Sequence, residues 1–175
     1  MSPDNAFDAD LKLALAVAQG DRAGLEDILE GRCGCGYAAE QRAVAAWALG
    51  DAPRALALYA EAPPDPAREL FDLVTDDWVW RMAHVVNHAH LRLQTGDAGA
   101  REALRGLLGS LAALRAEGIV NPLVHYWAAS AHAVLGERAA ARAELRSADV
   151  LGGGYAWWQA VDPNLARLEG DDDAG

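Results

Sequence analysis

Four times along this chain a helix-forming run stops at glycine and is followed at once by an acid: Gly20–Asp21, Gly50–Asp51, Gly96–Asp97 and Gly136–Glu137. Glycine closes a helix by taking the left-handed conformation, and an acid beside it suits the positive N-terminus of the next helix. Between these marks the sequence is mostly Ala, Leu, Arg and Glu, strong helix formers with no strand-like alternation. The marks therefore predict helix pairs: 6–19 with 22–30, 38–49 with 52–62, 77–95 with 97–117, and 122–135 with 137–150. Asn121–Pro122 reads as an N-cap with proline at the first helical position, and "APPDP" at 62–66 must break a helix. Short helices are expected at 66–74 and 163–168.

A chain of 175 residues is long enough for a core, and one domain is the natural reading. The formal charge of -11, with Lys12 the single lysine, argues against binding a phosphate backbone. Apolar residues reach 52%, but no run approaches the roughly eighteen residues of a membrane span. An acidic start without a signal-type apolar core, and only Cys33 and Cys35 as thiols, favour a cytoplasmic protein. The tail at 171–175, which opens on three aspartates, reads as solvated and mobile.

Two stretches go further. In "AVAAWALGDAPRALALYAEAPP", Ala43 is followed by Gly50–Asp51, then Ala55, Tyr59 and Ala62. In "VHYWAASAHAVLGERAAARAELRSAD" the matching positions are Ala129, Gly136–Glu137, Ala141, Leu145 and Ala148. This pattern resembles the tetratricopeptide repeat, a helix pair with small residues where the helices meet. The other two pairs depart from it: Leu25 stands where alanine is expected in the first, and Arg101, or Ala103 after a longer turn, in the third. The resemblance implies an all-α fold, a right-handed superhelix of about four helix-turn-helix units. They run over about 6–36, 37–64, 76–118 and 121–151, with an insertion at 65–75. "GYAWWQAVDPNLARLEGD" is similar to segments that close such arrays; over 155–168 it would cover the open apolar edge, with Trp157 and Trp158 folded back.

A tetratricopeptide-like array implies a binding scaffold without catalytic residues or cofactor, whose first helices line a concave groove for a protein or peptide segment. The groove positions carried over are Tyr37, Glu40, Val44 and Trp47 from the second unit. The third gives Ala83, Val86, His90, Leu93 and Gln94, and the fourth Leu123, Tyr126, Trp127 and Ser130. Aromatic patches with Glu40 as the clear charge suit an apolar or mildly basic peptide, or a second copy of the chain.

Two other function classes compete. His84 and His88, four apart on one helix, have the spacing of metal ligands, with His125, His132 and Asp77 as further candidates for a metal-dependent helical enzyme. "HVVNH" has no glutamate to act as general base, and the simpler reading makes His125 and His132 hydrogen-bonded packing residues. The other class is a small-molecule sensor in an aromatic groove. "CGCG" at 33–36 reads as a glycine-rich turn, and "DDWVW" at 76–80 as a cap followed by one tryptophan facing the core.

Overall fold

A computed structural model describes the backbone of residues 3–32, 38–61, 77–152, 162–165 and 168, and their side chains except at 3–8, 10 and 77–84. The described residues form eight helices and no strand: α1 Pro3–Gln19, α2 Arg22–Leu29, α3 Ala39–Ala48, α4 Ala52–Glu61, α5 Asp77–Gln94, α6 Gly99–Ala116, α7 Pro122–Leu135 and α8 Arg138–Val150. The chain is all-α over these residues. The helix expected at 66–74 lies outside them.

The four glycine–acid marks share one local structure. Gly20, Gly50, Gly96 and Gly136 have φ of 62°, 85°, 85° and 81°. In each turn the acid's N–H bonds the carbonyl five residues back at 2.9 Å, and the glycine's N–H bonds the carbonyl three back at 2.9 to 3.2 Å. These bonds satisfy helix-end carbonyls that would otherwise lack a donor. The aspartates then act forwards. Asp21 accepts from the Gly24 amide at 3.1 Å, Asp51 from Arg54 at 3.1 Å, and Asp97 from Gly99 at 2.9 Å. Glu137 makes no such cap, and its carboxylate is used elsewhere. Asn121 caps α7 by accepting the Leu123 amide at 2.9 Å, with Pro122 opening the helix.

The helices fall into two compact units, Met1–Asp65 and Pro66–Gly175. In the first, α3 packs on α2, α4 and α1. Ala43, Ala45, Ala46 and Ala55 are fully buried there with Tyr59, Leu25 and Ile28. In the second, α7 packs on α8, α6 and α5, and its core takes in Val86, Leu104, Leu111, Tyr126, Trp127, Ala128, Ala129 and Ala141. Short side chains allow the close approach, so alanine occupies these contacts. Neither Arg101 nor Ala103 fills the small position of the third pair. Both are exposed, and Ala100 and Leu104 are buried instead. This turn differs from the other three: α6 starts at Gly99, three residues after Gly96, where the others start two after their glycine.

Of the short helix expected at 163–168, the described residues take in 163–165 and 168. Leu165 N–H bonds the Asp162 carbonyl at 3.1 Å and Leu168 N–H the Leu165 carbonyl at 2.8 Å, a spacing of three that makes tight turns. Leu165 and Leu168 nevertheless join the core of the second unit. Among the described residues no helix is long and apolar enough to cross a membrane.

The turns give a paired prediction. Gly136 has open space around a added Cβ, so only its positive φ opposes a side chain, and Gly136→Ala should cost about 1 kcal/mol. Gly106, inside α6 and also unobstructed, should gain about 0.5–1 kcal/mol from Gly106→Ala. Urea unfolding of the two variants would show the opposite signs.

Candidate functional site

The second unit holds a buried polar cluster where helices α5 and α7 meet the segment around Asp162. Asn87 and His90 stand on α5 at a spacing of three, and Tyr126 and Ser130 on α7 at a spacing of four, so each pair shares one helix face. Asp162 and Asn164 come from the segment, at 6% and 4% exposure. Pro163 between them cannot extend a helix from Asp162, and the Asp162 carboxylate accepts the Asn164 N–H at 2.8 Å, which fixes the turn.

The hydrogen bonds run in one direction. Gln94 Nε2 lies 3.2 Å from His90 Nε2, and an amide nitrogen can only donate, so His90 Nε2 accepts and its proton sits on Nδ1. From there it donates to Asn164 Oδ1 at 2.6 Å. The Asn164 amide donates to Asn87 Oδ1 at 2.7 Å and to Ser130 Oγ at 3.1 Å. Ser130 passes its proton to Asp162 Oδ2 at 3.1 Å, and Tyr126 donates to the same oxygen at 2.8 Å. The chain begins at exposed Gln94 and ends on a buried carboxylate. Chains of this kind polarise cooperatively, and each member left alone would be costly.

Burial pushes the Asp162 carboxyl up, and hydrogen bonds from the Asn164 backbone, Tyr126 and Ser130 only partly counter it. A folded-state value raised above the ordinary 3.8 means its contribution is full below that pH and is lost as pH rises through the raised value. Burial, then the neighbouring Asp162 charge, drives the Tyr126 phenol well above 10.0 and keeps it a donor. Arg142 on α8 adds a bond to the Leu168 carbonyl at 3.1 Å. Three helices therefore hold one segment.

Two further clusters tie α6, α7 and α8 together. Glu144 takes the Arg115 guanidinium at 2.7 and 2.8 Å and His125 Nδ1 at 2.6 Å. Glu137 takes Arg105 at 3.0 Å and His132 Nδ1 at 2.6 Å. Burial pushes Glu144 up, but the hydrogen bonds from Arg115 and His125 outweigh it and hold its carboxyl below the ordinary 4.5. Glu137 is likewise lowered, first by its bond from His132. His125 and His132 are thus hydrogen-bonded between helices. No group of three metal-ligating side chains occurs among the described residues. The His84 side chain and the Cys33–Cys35 turn lie outside them.

The groove positions divide into three groups. His90, Tyr126 and Ser130 come together in the network. Val86, Leu123 and Trp127 are buried in the core, with Leu93 partly buried against it. An open wall would leave Tyr126, Trp127 and Ser130 accessible; Asp162, Asn164 and the core lie against them instead. Trp127 also packs edge-on to Tyr126, with centroids 5.0 Å apart at 89°. Glu40, Val44 and Trp47 lie half-buried along α3, while Tyr37 and the Ala83 side chain are outside the described residues. Asn87, Asp162 and Asn164 are the residues that sequence reading missed. Their signal was an amide directly after Val85 and Val86 on α5 and an Asp-Pro-Asn turn.

The chain matches no family model, no curated protein and no solved structure.

Two outcomes test the site. Asn87→Ala and Asn164→Ala should each lower stability by about 1–3 kcal/mol, because each strands a buried polar group. Their double-mutant cycle should leave a coupling of about 0.5–3 kcal/mol, read from urea midpoints. Because Glu144 is lowered, its contribution is present above pH 4.5 and lost as pH falls through the folded value. Glu144→Gln should therefore trail wild type at neutral pH and draw level in acid, in unfolding curves from about pH 7 to 3.

Proposed function

We propose that this chain is a tetratricopeptide-like recognition scaffold, a right-handed array of helix pairs that binds a segment of a protein or peptide without chemistry on it. Four turns of one design and alanine at the helix contacts support the repeat reading. The observation that carries the binding reading is that α5 and α7 already hold a non-helical segment, through side-chain hydrogen bonds to Asp162 and Asn164. Such side chains, fixed on two packed helices, form a preorganised surface that loses little freedom on binding. On α3, the half-buried face with Glu40, Val44 and Trp47 suits an apolar or mildly basic contact.

Selection of a random peptide library on the immobilised full chain tests this reading. It should enrich one consensus, and the isolated peptides should bind with Kd of about 1–100 µM by calorimetry. Absence of any consensus, with binding weaker than about 1 mM, would remove the scaffold reading.

A further inference from the structure

The donors on α5 and α7 are matched to a particular ligand chemistry. Tyr126 and Ser130 converge on one carboxylate oxygen of Asp162, while the other oxygen takes the Asn164 backbone N–H. Two residues further on, Asn87 Oδ1 and Ser130 Oγ accept from the Asn164 amide as His90 donates to its oxygen. Both ends of the carboxamide are read, and a donor pair reads the acid. The groups that donate to this carboxylate here, two hydroxyls and one backbone N–H, are uncharged. Selectivity therefore rests on hydrogen-bond direction, which an isosteric but reversed group would violate. Leu165 adds an apolar anchor, at 1% exposure.

We propose that this side-chain cluster is a binding site for a protein segment carrying a carboxylate and, two residues later, a carboxamide, and that residues 162–165 occupy it as an internal ligand which such a segment displaces. The proposal rests on the scaffold reading and supplies the partner chemistry for the second unit, replacing an apolar or mildly basic segment there with an Asp-x-Asn turn. The segment already seated in the cluster argues for that choice: its acid and amide each meet complementary groups supplied by two helices. Over 162–165 the segment is turn rather than helix, held by its side-chain bonds and by Leu165 in the core, so a displacing segment must supply both. The net charge of -11 opposes the approach of an acidic partner, so association is slow at low salt and speeds up as salt is added.

Hydrogen exchange on the wild-type chain reads the displacement directly. The amides of Asn164, Leu165 and Leu168 should exchange at least about 10-fold faster than those of Ala129 and Ala131 within α7. Equal rates would make the segment a fixed part of the core and overturn the proposal. In a second arm, a labelled peptide VDPNLARL, matching residues 161–168, is titrated into the full chain carrying Asn164→Ala and followed by anisotropy. It should bind at least about 10-fold tighter than to wild type, and lose that gain when its own aspartate or asparagine becomes alanine. A variant with wild-type helicity that binds no better than wild type overturns the proposal, as does indifference to the peptide's acid and amide. Should Asn164→Ala unfold, the exchange arm decides. Self-association that grows with concentration while the peptide stays unbound would place a second copy in the site and also overturn it. A library consensus lacking the acid and amide would sink this inference while leaving the scaffold reading intact.

Discussion

A helix that stops leaves carbonyls without donors, and how those carbonyls are satisfied decides what can follow. Among the described residues one solution is used six times, at Gly20, Gly31, Gly50, Gly96, Gly118 and Gly136: a left-handed glycine brings the next amide back five residues, and the chain leaves in reverse. With the turn fixed, the following helix must lie against the one before it. Contact between paired helices then falls on alanines in both compact units. The architecture thus begins with backbone hydrogen bonds, and hydrophobic burial acts on an arrangement they have already narrowed.

The second unit adds a different kind of constraint. Asn87, Ser130, Asp162 and Asn164 sit inside an apolar core, and an unmatched group there would cost more than a matched one contributes. Their bonds form a directed path that runs from His90 through Asn164 and Ser130 to the Asp162 carboxylate. Leu168 and Leu165 supply apolar burial, but the polar path selects which segment can lie there and in which register. Affinity and specificity are supplied by separate groups on the same few residues.

Much of the helical layout was legible because its causes are local. Glycine and acid at the turns, Asn121–Pro122 at the start of α7 and the 3.6-residue periodicity all act within a few residues of themselves. The α7 boundaries, 122–135, follow directly from them. The network was not legible for the opposite reason. Asn87 and Asn164 are 77 residues apart in the chain, and nothing near either announces the other. Tyr126 and Ser130 could be placed on one helix face, but whether that face meets solvent or the chain's own segment depends on packing that periodicity does not encode. The third pair shows the same limit on a smaller scale. Its turn is one residue longer than the others, and its buried positions are 100 and 104 rather than 101.

The Arg–Glu–His clusters at Glu137 and Glu144 have a mechanical consequence. Each joins α6 and α7, one to Glu144 on α8 and the other to Glu137 at its N-cap, seven residues or about two helical turns apart. Advancing α7 by a single residue would carry both imidazoles about 1.5 Å along and 100° around, out of reach of both acids together. A bolt at one end alone would still allow pivoting; two bolts leave neither sliding nor screwing as a soft motion. This trio therefore behaves as a keyed block.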